Sequence, residues 1–164
     1  MCHQLPTQFS EAAQIYDLPH PRFSLNDLEE KYGLAALTSA EKTVRLVDHY
    51  NYLMSCRYLS ELGGDEDGHQ MTEMSEALRE VGACNHSTRL EAYMNLFGRD
   101  GPLPTLADRM AIIEKAGDSW ESAVEKITAQ HDRLEHAELL VLRFEIDHAD
   151  QFRKRSEIRK ILES

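Results

Sequence analysis

The residues whose types and spacing could do chemistry lie mainly in the last third of the chain. Read as one helix over 119–161, that segment carries an apolar stripe through Trp120, Val124, Ile127, Leu134, Val141, Leu142 and Phe152. Ionisable groups interrupt the stripe: His131, Glu138 and Glu145 near its centre, Glu135 and His148 at its edges. Buried charges are costly unless paired or bound to metal. Glu145 and His148 are three apart, a spacing that lets both side chains address one cation, as in helical di-metal carboxylate sites. A complete site of that kind needs a second Glu-x-x-His pair and two further inward carboxylates. The other such pair, Glu66 with His69, falls in a glycine-rich loop. The stripe is therefore read first as a hydrogen-bonded or interface-facing row, and the interface-facing form would allow a homodimer. The alternative is the site of a metal-binding enzyme or sensor built from Glu138, Glu145, His148 and His131.

Two other constellations fall short of a chemical site. The loop Gly63, Gly64, Asp65, Glu66, Asp67, Gly68 alternates oxygen ligands before a turn glycine, as a calcium loop does. With Gly68 at the sixth position, the first would be Gly63 and the twelfth Met74, and neither supplies a carboxylate. Cys84, Asn85 and His86 place a thiol near an imidazole, but zinc ligands come as two closely spaced pairs and only one is present. No phosphate-cradling glycine loop, nucleotide fingerprint or Ser elbow occurs, so the sequence implies no cofactor and no catalytic residue.

Charge carries more. Residues 1–150 hold 27 acids against 13 bases, whereas residues 151–164 hold two against five, among them Arg153, Lys154, Arg155, Arg159 and Lys160. Such a body repels nucleic-acid phosphates and anionic lipid, and attracts a basic partner. The acids concentrate in Asp65, Glu66, Asp67, Glu73, Glu76 and Glu80, opposed within that stretch only by Arg79. The expected function is accordingly an acidic α-helical interaction module. It would bind and mask or regulate a basic protein surface, as inhibitors, immunity proteins and nucleic-acid mimics do, with Asp65 to Glu80 as the contact. No apolar window approaches the ~18 residues of a membrane span. The three cysteines, Cys2, Cys56 and Cys84, show no short-range pairing and the N-terminus has no signal-like apolar run, which predicts a reducing, cytoplasmic setting.

The elements that must position these residues are helices. Ser24 with Asp27, Thr38 with Glu41, Thr88 with Glu91, Thr105 with Asp108 and Asp118 with Glu121 have the spacing of helix-start capping pairs. Gly33, Gly63, Gly64, Gly82, Gly98 and Gly117 mark stops. The pattern predicts an irregular arm over 1–23 and an all-α single domain over 24–164, a bundle of five to six helices. These span 25–32, 39–62, 70–81, 88–97, 106–116 and 119–161. Leu139, Leu140, Val141, Leu142, Phe144 and Ile146 point in nearly every direction around the last helix, so its middle should be wrapped by the others, the 39–62 helix above all.

Overall fold

The capping pairs and apolar spacings translate into eight α-helices in the computed structural model, which describes residues 22–56, 59–99, 101–102 and 105–164. They are α1 (Arg22–Tyr32), α2 (Ser39–Cys56), α3 (Met71–Glu80), α4 (Cys84–Met94), α5 (Leu106–Ala116), α6 (Asp118–Gln130), α7 (Ala137–Asp147) and α8 (Arg155–Leu162). Short 3-10 turns fill Leu34–Ala36, Leu59–Gly64, Glu66–Gln70, Asn95–Phe97 and Ala149–Gln151. Among the described residues there is no strand, and no helix is long and apolar enough to cross a membrane. The all-α class is as expected; five to six helices is an undercount. The N-terminal arm lies outside the described residues up to residue 21.

Local capping chemistry sets several of these ends. The Thr38 N–H donates to the Glu41 carboxylate at 2.9 Å while the Glu41 N–H donates to the Thr38 hydroxyl at 3.3 Å, a reciprocal box that starts α2. The Thr105 hydroxyl accepts from the Asp108 N–H at 3.2 Å and starts α5. Thr88 starts nothing: α4 begins four residues earlier, at Cys84, and the Thr88 hydroxyl turns back to the Cys84 carbonyl at 2.9 Å. Between α5 and α6, Gly117 sits at a φ of 54°, which reverses the chain without a helical break in either neighbour.

The long C-terminal helix expected over 119–161 is three helices, α6, α7 and α8. No glycine or proline marks either break, and periodicity bridges both. Long-range packing and polar contacts make them instead. The buried stripe of α6 (Trp120, Val124, Ile127) packs on α4 and on the 59–64 turn, whereas that of α7 (Ala137, Val141, Phe144) packs on α2. One straight rod cannot face both. The first connector is held by Glu135, whose carboxylate accepts the Asn85 N–H at 3.0 and 3.1 Å and whose carbonyl accepts from His86 Nε2 at 2.9 Å. The second is held by Arg153, whose backbone N–H and Nε each donate to the buried Glu41 carboxylate, at 2.9 and 3.0 Å, with Nη2 adding a further contact. The middle of α7 is not wrapped either. Val141 and Phe144 are buried, but Leu139 and Ile146 remain 39% and 41% exposed.

The main core joins α2, α3, α4, α6 and α7. Met71, Met74, Ala77 and Leu78 give α3 a buried face at helical spacing, set against Val44, Val47 and Tyr50 of α2 and Leu90 and Tyr93 of α4. Tyr93, Phe97 and Trp120 meet edge to face, with ring centres 4.9 to 5.7 Å apart. A second, smaller cluster joins Leu25 and Leu28 of α1 to Ile158 of α8.

Candidate functional site

The acidic loop is organised around a cation from another element. Arg109 of α5 is fully buried; its Nε donates to the Gly63 carbonyl at 2.9 Å and its Nη2 to the Asp65 carbonyl at 2.6 Å, with Glu66 carbonyl at 3.4 Å. Three backbone carbonyls of the loop thus converge on one guanidinium. Asp65 accepts the Asp67 N–H and caps the next turn, and Asp67 pairs with His49 at 3.3 Å. Burial holds the His49 imidazole below its ordinary value against the opposing pull of Asp67.

Of the remaining acids in the predicted contact, Glu66, Glu76 and Glu80 are exposed and Glu73 is half-buried. Glu73, Glu76 and Glu80 share one face of α3, as their spacing requires, and Glu80 accepts from the Thr43 hydroxyl at 2.7 Å. Arg79 turns away to Glu91.

The four residues of the metal alternative are distributed over separate environments. His131 closes the C-terminus of α6, Glu138 is exposed in the first turn of α7, and Glu145 is buried near the end of that helix. His148 has left the helical line; its Nδ1 donates to the Phe144 carbonyl at 2.9 Å and its ring stacks on Phe144 at 4.2 Å. Among the described residues, no group of three or more His, Cys, Asp or Glu is placed to hold a metal ion. Cys84 is exposed at the start of α4, while His86, two residues on, points inward.

A cleft of about 730 Å³ is bounded by the end of α2, the 59–64 turn, α4 and α6. Met54, Leu59, Val124 and Ala129 supply apolar wall. Glu121 and Glu125, one turn apart on α6, and Asp132, just past its end, line its edge, with Thr128 between them. No base among the described residues pairs with any of the three. Among the described lining residues, the one base is Arg89 of α4.

Arg89 is oriented by a buried chain of hydrogen bonds. Its Nη2 donates to the Tyr50 hydroxyl at 2.8 Å, the Tyr50 hydroxyl meets His86 Nδ1 at 3.2 Å, and His86 Nε2 meets the Glu135 carbonyl. A carbonyl only accepts, so His86 carries its proton on Nε2 and accepts the Tyr50 O–H on Nδ1. Burial favours this neutral imidazole and pulls its pKa below the ordinary value, although the Glu135 carbonyl works the other way. Burial likewise raises the Tyr50 hydroxyl, against the pull of Arg89. At its far end the chain reaches a smaller pocket, about 350 Å³, where His86 and Asn51 face the start of α7.

Sequence reasoning missed this cleft. Glu121 reads in the sequence as a cap partner, and its spacing from Glu125 is local, but Met54 and Leu59 of the wall beside them come from more than sixty positions away. Nothing in the sequence singled out Arg89. In comparisons with known proteins, the chain matches no family model, no curated protein and no solved structure.

Proposed function

We propose that the chain is a protein-interaction module that receives a basic, amphipathic segment of a partner in the cleft between α2, α4 and α6, and so masks or regulates that partner's basic surface. The observation that carries this reading is the row of Glu121, Glu125 and Asp132, three carboxylates with no paired base among the described residues, beside apolar wall from Met54, Leu59, Val124 and Ala129. An apolar strip edged by like charge matches a segment with apolar residues on one side and Lys or Arg on the other. The acidic face of α3 lies outside the cleft and adds to the field that draws such a segment in.

The test is selection of short random peptides displayed on phage against the purified protein, followed by affinity measurement on synthetic winners. Enriched peptides are expected to interleave Lys or Arg with apolar residues and to weaken as salt rises. Replacing Glu121 and Glu125 with Gln and Asp132 with Asn together should reduce affinity about tenfold, the sum of three rim charges. Winners without excess positive charge, or equal binding to the triple variant, would overturn the reading.

A further inference from the structure

Arg89 is out of place in an acid-edged cleft. It is half-buried, no carboxylate among the described residues pairs with it, its one hydrogen-bond partner there is the Tyr50 hydroxyl, and its Nε is buried with no partner. A guanidinium has five N–H donors, and a partly desolvated cation without a counter-charge destabilises the fold that holds it. Three carboxylates line the same cleft from α6 and the turn that follows it, yet none is bonded to it. The guanidinium is held instead, through Tyr50 and His86, to the Glu135 carbonyl. Unsatisfied buried polar atoms are few in folded proteins, and they concentrate where a binding partner completes the set.

We infer that Arg89 is the anchor for a carboxylate of the bound segment, so that the occupant of the cleft is basic along the α6 side and presents one Asp or Glu to α4. This rests on the cleft being a binding site for a basic segment and adds the opposite charge that the segment must carry. Two signs of charge at fixed separation define a direction as well as an affinity: a segment entering backwards would set its carboxylate against Glu121, Glu125 or Asp132. Arg89 thereby acts as the specificity-determining residue, rejecting uniformly basic peptides that the three carboxylates alone would accept.

The experiment repeats the phage selection with the wild-type chain and with Arg89→Gln, a variant that can still donate to Tyr50, and its fold is checked by its unfolding transition. Wild-type winners are expected to share one Asp or Glu at a fixed spacing from their basic residues. Converting that carboxylate to its amide in the synthetic peptide should weaken wild-type binding at least about tenfold and leave binding to Arg89→Gln nearly unchanged. Arg89→Lys should restore part of the discrimination, because charge returns without the planar fork. Basic winners with no fixed carboxylate, or an equal loss in both proteins, would overturn the role of Arg89 while leaving the cleft as a site for basic segments. Failure to enrich basic peptides at all would overturn both.

Discussion

Arg109 Nε donates to the Gly63 carbonyl across 2.9 Å, from a guanidinium with no exposed surface. The loop of Asp65, Glu66 and Asp67 thus takes its shape from a buried base on α5. Arg109→Met would fill similar volume but leave the carbonyls of Gly63 and Asp65 without this donor, at a cost of about 3 kcal/mol. Denaturant unfolding should show a midpoint lowered accordingly, and the amides of 63–70 should exchange faster than those of α3. A midpoint shift below about 0.5 kcal/mol would mean the loop holds itself.

The fit around Gly68 gives an independent check. A Cβ there would lie 2.8 Å from the Leu62 carbonyl oxygen and 3.0 Å from Arg109 Nε. Gly68→Ala should therefore destabilise by about 1 to 3 kcal/mol, as overpacking does. At Gly64 the same atom meets only the flexible Met110 sulfur at 3.3 Å, and Gly64→Ala should cost less.

Glu41 makes the acid limb of the stability curve. Burial alone would raise its carboxyl, but hydrogen bonds from Arg153 and from the Thr38 N–H more than offset this and hold it below the ordinary value of 4.5. A carboxyl with a depressed folded value binds fewer protons when folded than when unfolded. Its contribution is therefore complete at neutral pH, declines as the pH drops below about 4.5, and is gone below the folded value. Glu41→Gln should lower stability at pH 7 by about 3 kcal/mol and flatten the slope between pH 5 and pH 3. Denaturant midpoints across that range measure both.

A second pH dependence comes from His86 and His49, both held by burial below their ordinary value of 6.5. The unfolded chain binds protons at these sites first, so stability falls as the pH drops below about 6.5 toward the folded values. An NMR titration of the two imidazoles should give midpoints below 6.5 for each. A midpoint for His86 at or above that value would mean that His86 Nδ1 does not accept from Tyr50.

The acidic face of α3 should govern rate more than residence. Replacing Glu73, Glu76 and Glu80 with Gln removes repulsion of a few tenths of a kcal/mol per pair, so stability should hold or rise slightly. Association with a basic peptide at low salt should slow a few-fold while dissociation is unchanged. Stopped-flow fluorescence separates the two rates; a faster dissociation instead would make this face part of the contact.

What the sequence made legible was local. Thr38 with Glu41 and Thr105 with Asp108 were readable as caps because each pair acts within one turn, and the α3 acids fell on one face because helical spacing alone puts them there. What it concealed depends on partners far along the chain. The apolar stripe from Trp120 to Phe152 keeps its period through two breaks because those breaks are made by Asn85 and His86 on Glu135 and by Glu41 on Arg153, pairs up to 112 residues apart. Arg89 looked like any surface base on an amphipathic helix. That no carboxylate among the described residues pairs with it emerges only once α2 and α6 are set beside α4.

The small apolar cluster of α1 and α8 bears on the order of folding. Leu25 and Leu28 meet Ile158, and the Lys31 ammonium reaches the Leu162 carbonyl at 2.7 Å across 131 positions of chain. The antiparallel pair α3 and α4, by contrast, closes over a three-residue connection. Bringing distant segments together carries a larger loop-closure entropy, so the α3–α4 hairpin nucleates early and the α1–α8 latch closes last. With three fully buried apolar side chains among the described residues, the latch should also be the first part to open from the native state. Hydrogen exchange would see it as the least protected pair of helices, releasing while the core around Met74, Leu78 and Leu90 stays shut.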